Sequence, residues 1–421
     1  MGLSSPPSSP LSSIPSSPLS SLACTPEPPA DFKLPLSPPS TRSPKKPNYP
    51  TPPSSQSTSN NCSPTPDGSP SNAQRPEKRR EMSSPPADAP PKKRRTVSRD
   101  RPPRTTEYLD LRRKEIEPCQ QEQLDRLMEV LNKRQKIVVI AGAGISVSAG
   151  IPDFRSSTGL FQRLKEEHNL KGSGKDLFDA SVYKDSDSIR TFHSMVTSLY
   201  KSTKKAKATP FHRMLARIAD EGRLMRLYSQ NVDGLDTGLK PLRSRIPFRK
   251  GDDGKWPLTV QLHGSLEKMV CTKCHQLSNF DPQTFQQAGP LPPPCPSCLE
   301  FDEIRTVQAG KRSHGIGCLR PRMVLYNEMH PDSEAIGSCT KHDLRKRPDA
   351  VLVVGTSVKV PGVQRIVREM CATVRDRKDK SLAVWINPTP PPSTKGFDKC
   401  FDMIVQSNCD EVARRAAASR K

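Results

Sequence analysis

Residues 138–156 read VVIAGAGISVSAGIPDFRS, and their order decides the fold. Ile137, Val138, Val139 and Ile140 form an apolar, β-branched run that suits a buried strand. The run breaks into Gly142-Ala143-Gly144 and continues through Ile145 into small residues, Ser146, Ser148 and Ala149. A strand that enters a glycine turn and then a helix N-terminus is a geometry that holds a dinucleotide pyrophosphate. The glycines let backbone N–H groups approach the phosphates, and the helix end carries partial positive charge. The Gly-x-Gly-x-x-Gly fingerprint is not met, because Val147 stands where the third glycine belongs. Gly150-Ile-Pro-Asp-Phe-Arg155 then places a carboxylate, an aromatic ring and a guanidinium on a predicted loop beside the turn. The stretch reads as a phosphate-binding turn of another kind.

Working outward, Leu124, Leu127, Met128 and Leu131 share one helical face within Gln121–Gln135 and lead into this strand. Further short apolar runs predict buried strands at 224–228, 259–262, 323–326, 351–354, 382–386 and 403–405. Val363, Val367, Met370 and Val374 mark a helix between two of them. Strands alternating with helices imply an α/β domain with a Rossmann-like, mostly parallel sheet covered on both faces. Three segments break the rhythm. Residues 171–207 read as a helical lid or accessory lobe, 237–257 as a polar loop insertion, and 271–317 as a cysteine- and proline-bearing module.

The chain has 46 prolines and only 33% hydrophobic residues, low for one compact body of its length. The deficit is concentrated in residues 1–104, a Ser/Pro-rich tail that cannot bury enough apolar surface to offset its ordering entropy and is expected to be disordered. Net charge is +23. Lys78-Arg79-Arg80 and Lys92-Lys93-Arg94-Arg95 have the form of a bipartite nuclear localisation signal, or of a solvated basic linker. Such charge attracts nucleic acid and chromatin surfaces without a specific site. Ser-Pro and Thr-Pro pairs recur through the tail, and Ser43-Pro44-Lys45-Lys46 has the form cyclin-dependent kinases prefer, although composition alone makes such pairs frequent. No apolar run approaches the ~18 residues that span a membrane, and the N-terminus lacks the charged and apolar regions of a secretion signal. A nuclear protein is expected.

Its 12 cysteines are then thiols or metal ligands. Cys271-x-x-Cys274 and Cys295-x-x-Cys298 are two hooks separated by about twenty residues, the spacing of a four-cysteine zinc site. Four thiolates close a tetrahedron, so one structural zinc is expected. His275 and Cys318 lie nearby, but the four cysteines suffice.

Other polar groups fall at strand ends, where open α/β sheets bind ligands. Gln230, Asn231 and Asp233 follow one apolar run, with Val232 among them; amides of this kind can read a carboxamide. His263 follows another, and an imidazole near neutral pKa suits a general base. Gly355-Thr356-Ser357 and Asn387 repeat the same placement. Singly, each reads equally well as a polar turn or a structural histidine.

Together these motifs resemble the sirtuin family. The match runs in order from about Arg134 to Asp410 through GAGISVSAGIPDFRS, QNVDGL, LHGS, both cysteine hooks, RPRMVLYNE, VVGTSVKV, INP and Cys409-Asp410. The basic tail, the insertion before Gln261 and the GTSVKVPG variant look like the fungal nuclear members that act on histones. The resemblance implies a catalytic domain over 105–418 with a zinc-binding module inserted at 264–320, and NAD as a consumed co-substrate. It implies an NAD-dependent lysine deacetylase that releases nicotinamide and O-acetyl-ADP-ribose, serves chromatin silencing and genome maintenance, and takes acetylated histone tails or core lysines as partners. Carried onto this sequence, Gly142, Ala143, Gly144, Ile145 and Ser146 cradle the pyrophosphate, and Asp153, Phe154 and Arg155 form a mobile cofactor loop. Gln230, Asn231, Val232 and Asp233 hold nicotinamide and its ribose, with Asn231 and His263 catalytic. Gly355, Thr356, Ser357, Asn387 and Cys409 line the ribose and adenine, and Val324–Glu328 pairs with the substrate peptide as an added strand. Asn327 replaces the family's usual glycine before Glu328, and apolar Leu160 and Phe161 disfavour acidic acyl groups. Mono-ADP-ribosyl transfer, long-chain deacylation and a catalytically weak chromatin adaptor are the competing readings.

Overall fold

The computed structural model describes residues 105–420, apart from 114, 157–158, 168–172, 378–380, 395 and 398. The tail, its basic clusters and its Ser-Pro pairs lie outside the described residues. Elements follow the order β1 (Glu107–Asp110), α1 (Gln121–Lys133), β2 (Ile137–Ala141), α2 (Leu160–Glu167), α3 (Ser186–Lys205), α4 (Pro210–Asp220), β3 (Leu224–Ser229), β4 (Thr259–Gln261), β5 (Gly264–Cys271), β6 (Leu277–Asn279), α5 (Pro282–Gln287), α6 (Pro296–Glu303), β7 (Leu319–Met323), α7 (Ser333–Lys346), β8 (Ala350–Val354), α8 (Pro361–Arg375), β9 (Leu382–Asn387), β10 (Met403–Gln406) and α9 (Cys409–Ala418).

A seven-stranded sheet runs β1-β10-β9-β8-β2-β3-β4, with every neighbouring pair parallel. Successive side chains of a strand point to opposite faces, and the sequence fills both with apolar groups. Ile137, Val139, Leu352, Val354, Val384 and Ile386 face one core, packed under α1, α4 and α9. Val138, Ile140, Val351, Val353, Ala383 and Trp385 face the other, packed under α7 and α8. That double burial is why these strands read as continuous hydrophobic runs. The helices dock through the predicted stripes: Leu127 and Leu131 from α1, and Val363, Val367, Met370 and Val374 from α8. Thr209 starts α4 with a reciprocal cap, its side chain taking the His212 N–H while the His212 ring takes the Thr209 N–H, and Pro210 occupies the first turn.

A second sheet, β6-β5-β7, is antiparallel. Its core joins two inserts far apart in sequence. Leu160, Leu177, Phe178, Phe192 and Val196 from the lobe between β2 and β3 pack with Leu266, Met269, Phe280, Phe285, Cys271 and Cys295. The predicted strand over 323–326 is displaced: β7 ends at Met323 and pairs with β5, not with the large sheet. The polar insertion 237–257 is anchored by buried Leu242 and by Phe248, which stacks on Trp256 at 5.4 Å. Beneath it, Arg226 of β3 makes a bidentate, buried ion pair with Asp343 of α7 (2.8 Å to each oxygen), and the Tyr228 hydroxyl donates to the same carboxylate.

Candidate active site

The glycine turn closes on a neighbouring strand end. Gly142 N–H donates to Val354 C=O (3.0 Å) and Gly144 N–H to Gly355 C=O (2.9 Å). A Cβ at Gly142 would meet Gly355 O and Thr356 Cβ at 2.7 Å, and one at Gly144 would meet Gly355 Cα at 2.7 Å. The two glycines therefore serve the fit between the β2 and β8 loops. Ile145 and Ser146 N–H close short 3-10 bonds, so Ala143 N–H is the one in this turn without a backbone acceptor among the described residues. An α-helix does not follow at once. Two 3-10 turns, Ala143–Ile145 and Val147–Ala149, end at Gly150 in the left-handed region (φ 82°). The helix N-terminus expected there is replaced by these tight turns, which fit the space beside the β8 loop.

Ser146 does not present a free hydroxyl. It is fully buried, donates to Asp233 Oδ2 (2.7 Å) and accepts from Asn231 Nδ2 (3.2 Å). This hydroxyl ties the glycine turn to the end of β3. Asp233 Oδ1 accepts from Leu235 N–H (2.9 Å), so both its oxygens are engaged. Asn231 is 2% exposed, and its Oδ1 has no partner. A buried carbonyl oxygen left bare costs free energy unless a donor arrives. Gln230 Nε2 bonds Ala141 C=O (3.2 Å) and Thr356 Oγ1 (3.0 Å), which makes Gln230 a clamp between β2 and the β8 loop. Val232 points into the small-domain core.

His263 sits between the sheet and the small domain. Its Nδ1–H donates to Gln230 C=O (2.9 Å), which fixes the neutral tautomer and leaves Nε2 with a lone pair. Burial, with smaller contributions from His330 and Arg155, pushes its pKa below the ordinary value. An imidazole that stays neutral and keeps one nitrogen unprotonated is equipped to accept a proton.

The loop after the turn is self-braced. Asp153 Oδ1 accepts the N–H of Arg155 (2.8 Å) and Ser156 (2.7 Å), Phe154 packs edge-on against Phe161 and Phe178, and the Arg155 guanidinium donates to the Tyr326 hydroxyl. Val324–Glu328 is not a free edge strand. Val324 N–H goes to His263 C=O (3.0 Å), Leu325 N–H to the Glu328 carboxylate (2.9 Å), and Tyr326 bridges to Asp179. Asn327 adopts φ +64°, a region asparagine tolerates better than most residues, which explains a glycine-like position held by Asn.

At the far end of the edge, Gly355 takes φ +58°, Thr356 is buried, Ser357 is exposed, and Asn387 Nδ2 bonds Thr389 Oγ1 (2.7 Å). The Cys409 side chain lies in the core under α9, and burial pushes the thiol up to about 12. Sequence reasoning named Asp410 without giving it a role and passed over two further supporting groups, Thr209 and Asp236. Asp410 receives the Ser148 hydroxyl and Phe211 N–H, Thr209 donates to Ile145 C=O, and fully buried Asp236 is pushed up to about 7 by burial beside Asp233. Only the Thr209-Pro210 helix start carried a local signal.

The four hook cysteines converge. Their sulfurs lie within 4.8 Å of one another, with Cys271–Cys298 and Cys274–Cys295 both at 3.7 Å. Tetrahedral zinc with Zn–S near 2.3 Å requires sulfurs about 3.8 Å apart, so the set fits one structural zinc with no position left for substrate. Cys318 and His275 stand outside this set.

A closed metal site of this kind does no chemistry on substrate. The class is a Rossmann-like α/β protein with a structural metal module. The chain belongs to the Sir2 family, whose model matches residues 142–362. It is 47% identical over 292 residues to NAD-dependent protein deacetylase hst4 of Schizosaccharomyces pombe, covering 69% of this chain and 68% of that one. It is 43% identical over 290 residues to NAD-dependent histone deacetylase HST4 of Saccharomyces cerevisiae, covering 67% and 75%. An Emericella nidulans protein, also named NAD-dependent protein deacetylase hst4, is 51% identical over 301 residues; that match covers 72% of this chain and 49% of the relative, so the chain spans about half its length. A solved structure described as Sir2 bound to acetylated peptide shares the fold at TM-score 0.50 and 20% identity, over 72% of this chain and 98% of that one.

Proposed function

We propose that this chain is an NAD-dependent protein-lysine deacetylase acting on acetylated histones in the nucleus. The observation that carries the reading is His263, held neutral and tautomer-locked on the C=O of Gln230, the residue before Asn231 with its bare, buried Oδ1. Bound at this edge, NAD supplies an activated glycosidic carbon and nicotinamide as its leaving group. Asn231 Oδ1 accepts from the carboxamide, a donor that fits its missing partner. Ala143 N–H is the turn's free donor toward pyrophosphate. Asp233, Ser146 and Gln230 act one layer back, fixing the amide and the turn. His263 Nε2 takes the proton of a ribose hydroxyl, and the packed Phe154–Phe161–Phe178 cluster excludes water. Histone substrates and the nuclear setting are supported by the names of the fungal relatives, and the basic tail suits chromatin contact and kinase control.

Mass spectrometry of an acetylated histone peptide incubated with protein and NAD tests this. Loss of one acetyl group with O-acetyl-ADP-ribose formation is expected, and His263→Ala should lower kcat by roughly 10²–10⁴-fold. A gain of ADP-ribose on the peptide, or full activity in His263→Ala, would overturn it. Because His263 works as the neutral base and its pKa is depressed, rate should fall with acidity only below pH 6.5. An acid limb above that value contradicts the assignment.

A further inference from the structure

Tyr326 sits where three separately encoded segments meet. Its N–H donates to Phe178 C=O (2.7 Å), and its C=O accepts from Ala180 N–H (3.0 Å). The next residue reinforces that bridge, since Asn327 Nδ2 donates to Asp179 Oδ2 (2.5 Å). The Lys175 ammonium lies 4.6 Å from the centre of the Tyr326 ring. Backbone and ring are thus fixed by the 174–180 segment and the small domain. The hydroxyl faces elsewhere and receives the Arg155 guanidinium. Arg155 is exposed, and this is the one hydrogen bond its guanidinium makes among the described residues. The same guanidinium lies 5.6 Å from the Phe161 ring centre, and the Arg155 N–H donates to the bracing Asp153 carboxylate. A long, exposed arginine side chain otherwise loses little by sampling many rotamers, so one anchored atom decides where its charge stands.

We propose that Tyr326 is a positioning residue whose hydroxyl holds Arg155, and with it the 153–156 loop, in the arrangement that receives the nucleotide. The proposal rests on the deacetylase reading of the site. It gives the small domain a role beyond substrate contact, because Tyr326 follows β7 and so couples the small domain to the cofactor loop of the large one. The position of Arg155 also matters to His263, since its positive charge is among the groups that keep the imidazole neutral.

Tyr326→Phe removes only the hydroxyl. The ring, the Lys175 contact and the backbone bridge to 178–180 remain, so the melting temperature should not move. Calorimetry without peptide should show NAD binding weakened roughly ten-fold, with KM for NAD rising in parallel and KM for acetyl-peptide within about two-fold of wild type. Hydrogen exchange of the free protein should be faster at 153–156 in the variant and unchanged at 174–180. Unchanged NAD affinity and loop exchange overturn the proposal, as does an equal loss of peptide and NAD affinity. If wild type turns over no acetyl-peptide while the variant still frees the loop and weakens NAD, the reaction assignment fails and the positioning role stands.

Discussion

The large parallel sheet and the cysteine-bearing module are stabilised by different physics. In the sheet, every residue of β2 and β8 is buried, and alternate side chains complete two separate cores. In the module, β6 has no buried residue, and the stretch after the last hook leaves Leu299, Phe301, Ile304, Val307 and Ile316 exposed. What apolar core the module has is shared with α3 and the lobe before it. The sheet holds itself by area removed from water. The module depends on a metal knot and a borrowed helical wall.

Removing the knot is the strongest way to break this contrast. Chelation of zinc, or Cys295→Ser, should unfold 264–320 with an apparent loss on the order of 10 kcal/mol. Limited proteolysis should cut there first while the sheet still melts cooperatively; joint melting of both regions would show that they are one unit. Next in size is a polar weak point inside the sheet body. Arg226→Ala leaves Asp343 as an uncompensated buried charge and should cost about 3–5 kcal/mol in urea denaturation. A loss below about 1 kcal/mol would mean that water reaches the pair. The smallest effect is expected on the module's outer surface. Phe301, 75% exposed, should tolerate Phe301→Ser within about 0.5 kcal/mol, and a larger loss would show that the apolar patch is covered.

The interior strands β2, β3, β8, β9 and β10, and the buried edge strand β4, were legible because burial on both faces writes itself as an apolar run. The edge strand β1 was not: Glu-Tyr-Leu-Asp buries only Leu109. Nor was β7, whose Leu-Arg-Pro-Arg-Met carries two arginines satisfied by remote partners, Arg320 by Glu328 and Arg322 by Asp332. In the site, position along the chain was legible while the direction of each side chain was not. Ser146 and Gln230 turned inward as clamps, and Cys409 joined the core. Asp236 gave no signal, since its burial depends on the elements folded around it.

By itself, the sequence determined the parallel sheet and the zinc hooks, and it set the candidate polar residues at strand ends. Hydrophobic period, glycine placement and ligand spacing are local properties, and the chain states them locally. Only the tertiary structure decided that residues 177–206 and the zinc module share one core, that Gly142 and Gly144 serve a neighbouring loop, and that Tyr326 reaches Arg155. Those outcomes depend on contacts between groups far apart in sequence, where packing and hydrogen-bond competition choose among partners that the chain contains but does not pair.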